Sequence, residues 1–274
     1  MSARARRPRW GQNFLVDAAL ASTIVDWAGV DGRAVVEIGP GRGALTEHLA
    51  GCARRLILIE IDPDLADRLR VRYAANAAIE VIEADVLRVD LAALADPPFV
   101  VVGNLPYESG TAIVRRLVAL PAIVAEAVVM LQEEVCQRML AGAGQEHYGA
   151  LSIFTALRAD VTSGPIAPAT SFRPRPKVES RVIRLRPLPR VRWDVGDEEH
   201  FDELVRVAFS GRRKMLRNTL GAWFARRLGP DRSTELLTDC AIEPTARPED
   251  VAPEKFARLA CRSYELLQAS ARAS

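Results

Sequence analysis

Strand-like and helix-like segments alternate regularly through the first two thirds of this 274-residue chain. The strand-like runs are short and rich in Val and Ile, and the segments between them have helical spacing or composition. This alternation predicts a parallel, doubly wound α/β sheet, because a crossover helix brings consecutive parallel strands side by side. The predicted strands are Ala34–Ile38, Leu56–Glu60, Ile79–Glu83, Phe99–Gly103 and Ala127–Leu131, and the predicted helices are Ala44–Ala50, Pro63–Ala74, Thr111–Leu120 and Glu133–Ala141.

Two more strands and a helical region follow this alternation. Leu151–Val161 and Val178–Leu185 are predicted to be strands, joined by the proline-rich loop Pro165–Pro176, and long loops of this kind tend to be functional. Pro187 and Pro189 mark a boundary, which predicts a first domain of residues 1–188 and a smaller helical domain of residues 189–274. The predicted helices of this second domain are Glu198–Phe209, Lys214–Leu228, Ser233–Cys240 and Pro253–Ser270.

The composition excludes several classes of protein. A hydrophobic fraction of 49% supports one substantial core and a smaller unit, but the apolar runs are too short and too often interrupted by charges to span a bilayer. The four cysteines form no Cys-x-x-Cys pair, and the chain has only three histidines, which argues against a zinc site or a disulfide framework. The amino terminus lacks the apolar stretch of a signal peptide although it carries arginines, so we expect a cytoplasmic protein. Those arginines are Arg4, Arg6, Arg7 and Arg9.

A glycine-rich turn follows the first predicted strand and opens the first predicted helix. Gly39, Gly41 and Ala44 satisfy the dinucleotide fingerprint, and Glu60 follows Gly39 by 21 residues, where an acid would bind ribose hydroxyls. A nicotinamide-dependent dehydrogenase is therefore one interpretation. Three features favour S-adenosylmethionine instead: Glu37 precedes the glycines, Pro40 stiffens the turn, and Asp85 follows the third strand, where its carboxylate would accept a bond from an adenine amino group.

The tetrapeptide Asn104-Leu105-Pro106-Tyr107 follows the fourth predicted strand. Ligands of open α/β sheets bind at the carboxyl ends of the strands, so these residues are expected at the rim of the ligand site. Asn104 and the Leu105 carbonyl would accept the two hydrogens of an amino group on a flat base, and Tyr107 would stack on the base. The alternative interpretation is an ordinary turn after a strand.

The charge distribution is uneven although the net charge is only +2. Eight Lys or Arg residues and one acid, Glu179, lie between Arg173 and Arg192, and Arg206–Arg217 contains five Lys or Arg residues and no acid. Basic segments on one face would form a nucleic-acid interface, whereas separate segments would be solvated surface. The candidate RNA-binding residues are Arg175, Lys177, Arg212, Arg213, Lys214 and Arg217.

Seven motifs together make the chain resemble the KsgA/RsmA group of rRNA adenine dimethyltransferases. The resemblance runs from about Gly11 to the carboxyl terminus, and the combination is far more specific than the glycine turn alone. Glu108-Ser109-Gly110 and Ser210-Gly211 depart from the family pattern and leave fine substrate geometry open. The motifs are Gly11-Gln12-Asn13-Phe14-Leu15, Glu37–Gly43, Glu60-Ile61-Asp62, Asp85, Gly103–Tyr107, Phe172–Ser180 and Arg212–Asn218.

The resemblance implies a Rossmann-like class I methyltransferase sheet with a smaller C-terminal helical domain. It also implies S-adenosylmethionine-dependent dimethylation of two adjacent adenosines in the 3′-terminal hairpin of small-subunit rRNA, within an assembling small subunit. Neither a metal nor a membrane is expected, and we expect a monomer. The implied cofactor residues are Gln12, Asn13, Leu15, Gly39, Gly41, Glu60, Ile61, Asp85 and Asn104, and the implied catalytic residues are Asn104, Leu105, Pro106, Tyr107 and Phe172.

Three questions stay open at the level of the sequence. Phe172 would sandwich a flipped adenine against Tyr107, and the alternative interpretation is a loop aromatic that fills the core. A resistance-type methyltransferase of large-subunit rRNA shares the Asn-x-Pro-aromatic site, although the Arg212–Asn218 segment and the long helical region favour the small-subunit group. A non-catalytic RNA-binding assembly or transcription factor with the same fold is the third possibility, and the intact Glu60, Asp85 and Asn104–Tyr107 argue for retained chemistry.

Overall fold

The computed structural model describes residues 12–94, 97–229 and 232–273, and the chain forms two compact units. The first unit contains the chain up to Cys136 together with Ala159–Pro189. The second contains Gln137–Arg158 and the chain from Arg190 onward. Gly11 of the amino-terminal motif and the arginines at positions 4, 6, 7 and 9 lie outside the described residues.

Strands and helices alternate along the first unit, whereas the second is helical. The strands are β1 Phe14–Leu15, β2 Ala34–Ile38, β3 Arg55–Glu60, β4 Ile79–Glu83, β5 Phe99–Asn104, β6 Val124–Gln132, β7 Ala159–Ala167, β8 Phe172–Arg173 and β9 Ser180–Pro187. The helices are α1 Ala18–Ala28, α2 Ala44–Cys52, α3 Pro63–Tyr73, α4 Gly110–Val118, α5 Glu133–Leu140, α6 Ala150–Arg158, α7 Glu198–Phe209, α8 Leu216–Leu228, α9 Arg232–Asp239 and α10 Pro253–Ala273.

The first unit is built on a seven-stranded sheet with the order β4-β3-β2-β5-β6-β9-β7. The five strands from β4 to β6 are parallel, and β9 is antiparallel to both of its neighbours. All five residues of β2 are buried, as expected for a central strand with both faces covered. The predicted doubly wound α/β sheet is therefore confirmed.

A short ladder ties the amino-terminal segment to the loop that precedes β9. Strands β1 and β8 are antiparallel, with Leu15 opposite Phe172, and the Val16 amide donates to the Ser171 carbonyl at 2.9 Å. The Ser171 hydroxyl donates to the Asp17 carboxylate at 2.9 Å, and Asp17 also caps α1. The sequence pattern predicts neither β1 nor β8, because strands of two residues carry no periodicity.

The segment after α5 differs from the prediction. The sequence predicts a strand over Leu151–Val161, but Ala150–Arg158 is helix α6 and only Ala159–Ala167 is a strand. Three apolar side chains at helical spacing explain the difference, since Ile153, Phe154 and Leu157 are buried in the core of the helical unit. Residues 137–158 consequently belong to that unit, whereas the predicted boundary at 188/189 leaves them in the first domain.

The second unit has its own core, formed mainly by aromatic and aliphatic side chains of its helices. Trp223, Phe224, Phe201 and Phe256 are among its largest fully buried side chains. Across the described ranges, no helix is both long and apolar enough to cross a membrane. Within the same ranges, no cluster of three or more His, Cys, Asp or Glu side chains is arranged to hold a metal ion.

Candidate active site at the carboxyl edge of the sheet

A pocket of about 740 Å³, part of it open to solvent, lies where β2, β3 and β5 end. This position is the one expected for a ligand of an open α/β sheet. The pocket contains no histidine among the described residues that line it. Its lining residues are Gln12, Asn13, Phe14, Leu15, Glu37, Gly39, Pro40, Gly41, Arg42, Ala44, Leu45, Glu60, Ile61, Asn104, Leu105, Pro106 and Tyr107.

The glycine turn brings its backbone close to the amino-terminal segment. Gly41 has a φ of 58°, in the left-handed region, and a Cβ at this position would lie 3.1 Å from a ring carbon of Phe14. The Arg42 guanidinium lies 4.6 Å from the centre of the same Phe14 ring. Phe14 and Arg42 therefore form part of the pocket rim together with the turn.

Glu60 holds the backbone of the turn. Its carboxylate is buried and accepts hydrogen bonds from the amides of Gly41, Ile61 and Asp62 at 2.9, 3.0 and 3.0 Å. Burial raises the pKa of Glu60, and the three amide donors oppose that rise. Two of these amides bond to Oε1 and one bonds to Oε2, so Oε2 retains capacity to accept a hydrogen bond from a ligand.

Glu37 is the second carboxyl group of the pocket and is fully buried beneath the glycine turn. The Thr46 hydroxyl, on α2, donates to Glu37 Oε2 at 2.7 Å. Burial raises the pKa of Glu37 to about 8, and the negative charge of Glu60 adds to the rise. Near neutral pH the protonated form of Glu37 is therefore favoured in the free protein.

The Asn104 amide is oriented by the amino-terminal segment. Its Nδ2 donates to the Asn13 carbonyl at 2.9 Å, which leaves Oδ1 as the acceptor of this side chain. The next residue is also fixed, since the Leu105 amide donates to the Met130 carbonyl at 3.1 Å. The Pro106 carbonyl accepts from the Gly110 amide at 2.8 Å and so closes the turn before α4.

Tyr107 lines the same pocket and is half-buried. Its hydroxyl forms a hydrogen bond of 3.0 Å with the hydroxyl of Ser180 at the start of β9. The ring and the Asn104 amide acceptor thus line one pocket, together with the buried carboxyl groups of Glu37 and Glu60. Such a lining can hold a flat base with an amino group and a ribose-containing ligand.

Phe172 lies away from the pocket lining. Its side chain is fully buried in the core of the sheet unit, together with Leu15, Met130 and Val182. The structure therefore does not form the predicted sandwich of Phe172 and Tyr107, and it agrees with the alternative that Phe172 fills the core. The pairing of β8 with β1 accounts for this burial, because Phe172 lies opposite Leu15 in the ladder.

Asp85 also lies outside the residues that line the pocket. It accepts a hydrogen bond from the Leu87 amide at 2.9 Å and forms an ion pair of 3.5 Å with Arg88. These contacts are those of an acid that stabilises the turn after a strand. By contrast, the structure brings the other predicted cofactor residues to the pocket: Gln12, Asn13, Leu15, Gly39, Gly41, Glu60, Ile61 and Asn104.

The predicted basic segments separate into paired and exposed side chains. Arg181 pairs with Glu133 at 2.7 Å, and Arg184 and Arg186 lie 3.4 and 3.6 Å from Glu126. Arg175 and Lys177 are exposed in the loop before β9. Several arginines of this basic run therefore lie beside acidic side chains, so fewer of its cations are available to a polyanion than the sequence indicates.

The basic segment of the helical unit separates in the same way. Arg212 pairs with Glu249 at 2.8 Å and also donates to the Glu146 carbonyl. Arg213, Lys214 and Arg217 are exposed, as Arg212 is, but no acidic side chain of the described chain lies within ion-pair distance of these three. These three residues are the better candidates for contact with a polyanion.

Four residues that shape this site have no role predicted from the sequence: Phe14, Arg42, Thr46 and Ser180. Phe14 and Ser180 belong to motifs that carry the resemblance, so the sequence marks their positions but not their contacts. Arg42 lies at a position that the glycine fingerprint leaves unspecified. The sequence does indicate the contact of Thr46, because a hydroxyl in the first turn of α2 can reach the acid near the end of β2.

Several known proteins are similar to this chain over most of its length. The model of a family described as ribosomal RNA adenine dimethylase matches residues 3–263. Ribosomal RNA small subunit methyltransferase A of Geobacter sulfurreducens is 39% identical over 261 residues, which are 93% of this chain and 94% of that protein.

Two solved structures are similar over nearly the whole chain. A dimethyladenosine transferase from Plasmodium falciparum has a TM-score of 0.78 with 24% identity, covering 92% of this chain and 98% of that chain, and it shows the shared fold. The 23S rRNA methyltransferase ErmE has a TM-score of 0.67 with 28% identity, covering 93% of this chain and 100% of that chain.

Proposed function

Because the chain belongs to the ribosomal RNA adenine dimethylase family, we propose that it dimethylates the exocyclic amines of two adjacent adenosines in the 3′-terminal hairpin of small-subunit rRNA, using S-adenosylmethionine. One observation carries the proposal. The Asn104 amide nitrogen donates to the Asn13 carbonyl, which leaves the amide oxygen as an acceptor in a pocket that Tyr107 also lines. An acceptor and an aromatic ring in one pocket suit an amino group on a flat base.

The pocket residues fit S-adenosylmethionine, which supplies an electrophilic methyl group on a positively charged sulfur. Glu60 Oε2 would accept from a ribose hydroxyl, and the glycine turn would lie against the methionine part. Ile61, which is 37% exposed, would pack on the adenine face. Asn13 and Leu15 would cover the bound cofactor, and a positively charged ligand would favour the ionised forms of Glu37 and Glu60.

The chemistry rests on orientation of the target amine. An aromatic amine is a poor nucleophile because its lone pair is delocalised into the ring. Acceptance of both amine hydrogens, by Asn104 Oδ1 and the Leu105 carbonyl, would favour a pyramidal nitrogen and direct its lone pair toward the methyl donor. The methylated nitrogen is acidic enough to lose its proton to water, so a dedicated base is not needed.

The substrate must present its adenosines outside a helix, because a duplex would bury the amine. Tyr107 would stack on the extruded base. Arg175 and Lys177 in the sheet unit, and Arg213, Lys214 and Arg217 in the helical unit, would contact phosphates and supply affinity that does not depend on sequence. We propose that the protein acts in the cytoplasm, as a monomer, on an assembling small subunit.

The large-subunit alternative receives less support. The Geobacter sulfurreducens protein named for the small subunit is 39% identical to this chain, whereas ErmE is 28% identical. The non-catalytic alternative is also disfavoured, because the Asn104 acceptor, the Tyr107 ring and the Glu60 carboxylate all line one pocket.

Methyl transfer from labelled S-adenosylmethionine tests the proposal directly. Small subunits, large subunits and free 3′-terminal hairpin from an unmethylated strain are compared as substrates. We expect incorporation into small subunits, recovered by mass spectrometry as two adjacent dimethyladenosines, with the free hairpin a poor substrate. Incorporation into large subunits alone would assign the resistance-type function, and no incorporation into any substrate would favour the non-catalytic one.

Substitution Asn104→Ala tests the role of the amide in the same assay. We expect the methylation rate to fall by about 10²–10³, the range seen when one preorganised polar group is removed from an active site. Cofactor affinity, measured in parallel by calorimetry, separates loss of amine orientation from loss of cofactor binding. A rate near that of the wild type would rule out the orienting role.

A further inference from the structure

The hydroxyl of Tyr107 has a buried partner that the proposed chemistry does not use. The Ser180 hydroxyl lies 3.0 Å from the Tyr107 hydroxyl, and Ser180 is fully buried while Tyr107 is half-buried. The ring of Tyr107 therefore lines the pocket while its hydroxyl end is held inside the protein.

Ser180 is held in place by the sheet. It is the first residue of β9, and it lies opposite Gln132 of β6 on one side and Ala167 of β7 on the other. The preceding residue is also tied to the sheet edge, since the Glu133 amide donates to the Glu179 carbonyl at 3.0 Å. Because strands on both sides fix the backbone, the position of the Ser180 hydroxyl does not depend on a flexible loop.

Tyr107, by contrast, lies in a loop, between β5 and α4. The turn closed by the Pro106 carbonyl and the Gly110 amide fixes its backbone, but that turn leaves the side-chain torsions free. A bond at the far end of the ring restricts these torsions. Stacking on a base then loses less conformational entropy, because the ring already has its bound orientation.

We propose that Ser180 is a positioning residue, whose hydroxyl holds the Tyr107 ring in the orientation that stacks on the target adenine. Ser180 itself does not touch the substrate. This inference rests on the proposed function of the pocket and deepens it, because it assigns a role to the serine that ends the Phe172–Ser180 motif.

A double-mutant cycle with Ser180→Ala, Tyr107→Phe and the double variant tests the coupling. Each single substitution should lower kcat/KM for methyl transfer to small subunits by roughly three- to tenfold, the effect of losing one hydrogen bond. The double variant should be no slower than either single variant, because both remove the same bond. Cofactor affinity by calorimetry should stay unchanged in all three.

A second readout follows the ring without using activity. The protein contains four tyrosines, so 3-fluorotyrosine gives a simple fluorine NMR spectrum in which Tyr107→Phe assigns the Tyr107 signal. In Ser180→Ala that signal should move toward the position of a solvent-exposed tyrosine, while the other signals stay unchanged. Ser152→Ala is the matched control, because Ser152 is an equally buried, hydrogen-bonded serine of the helical unit, and it should leave the Tyr107 signal and kcat/KM unchanged.

The outcomes separate this inference from the proposed function. A wild-type protein that methylates no small subunit refutes the proposed function, whatever the NMR spectrum shows. An active wild type with an unchanged Tyr107 signal and kcat/KM in Ser180→Ala overturns the positioning role. Multiplicative losses in the double variant also overturn it, because they show that the two hydroxyls act independently.

Discussion

At the scale of single residues, the pocket places one carboxyl group where its charge is poorly solvated. Glu37 is fully buried, and its one hydrogen bond to the Thr46 hydroxyl does not offset the loss of water around the carboxylate. The pKa of Glu37 is raised from 4.5 to about 8 as a result. A cationic ligand in the pocket would favour the ionised form, so Glu37 links ligand binding to proton release.

Glu37 should make stability fall with rising pH. Between pH 4.5 and about 8 the unfolded chain has lost this proton while the folded chain keeps it, so the folded state is progressively disfavoured, with no further change above pH 8. Each unit of pKa shift corresponds to about 1.4 kcal/mol. Glu37→Gln keeps an acceptor for Thr46 and should raise the melting temperature more at pH 8 than at pH 5. Glu80→Gln, at an exposed glutamate, is the control. An equal rise in the melting temperature of Glu37→Gln at both pH values would contradict the raised pKa of Glu37.

Phe172 offers a test between a core residue and a stacking residue. Phe172→Ala should destabilise the folded protein by about 3–5 kcal/mol, because it leaves a cavity in the core. Phe172→Leu keeps most of the buried volume, so it should keep near wild-type methylation, measured at a temperature where the variant is folded. A large loss of rate in a stably folded Phe172→Leu variant would instead support direct stacking on the substrate.

At the scale of elements, the chain from the end of α7 to the first turn of α8 exposes cations that its neighbours do not neutralise. Arg213, Lys214 and Arg217 are exposed with no acidic partner in the described chain, whereas Arg212, although exposed, pairs with Glu249 and donates to the Glu146 carbonyl. The four residues are close in sequence, yet their contacts differ: Arg212 is held in an ion pair with Glu249, and the other three are candidates for phosphate contact.

Replacing Arg213, Lys214 and Arg217 together by Ala should weaken binding to small subunits and flatten its dependence on salt. The slope of log affinity against log salt should decrease by about one for each phosphate that the variant no longer binds, while cofactor affinity stays unchanged. Arg212→Ala is the matched control: it should lower the melting temperature and leave the slope nearly unchanged. A larger decrease of the slope in Arg212→Ala than in the triple variant would mean that Arg212 is the RNA contact.

At the scale of the whole molecule, ligand binding and stability are linked. A ligand that binds only the folded protein stabilises it by about 2.7 kcal/mol at a concentration of 100 times its Kd. S-adenosylmethionine should therefore raise the melting temperature, and NAD at the same concentration should not. Glu60→Ala should reduce the shift and also lower the basal melting temperature, because the amides of Gly41, Ile61 and Asp62 lose their acceptor. Stabilisation by NAD but not by S-adenosylmethionine would favour the dehydrogenase interpretation.

The sequence by itself determined the five parallel strands of the sheet and the position of the site along the chain. Apolar runs such as Ala34–Ile38 and Phe99–Gly103 specify buried parallel strands, and glycine turns and helix caps specify where each strand ends. These signals are local, because each depends on residues within one element and its flanking turn. They sufficed to place Gly39, Glu60 and Asn104–Tyr107 at one edge of the sheet.

The tertiary structure alone decided which side chains meet across that framework. Tyr107 and Ser180 are 73 residues apart, and Arg212 and Glu249 are 37 apart, so no local pattern predicts either pair. The burial of Phe172 depends on the ladder with β1, and α6 joined the helical unit because its apolar side chains are buried in that unit's core. Each of these contacts depends on which residues distant in sequence pack against each other. The spacing of residues along the chain does not encode that choice.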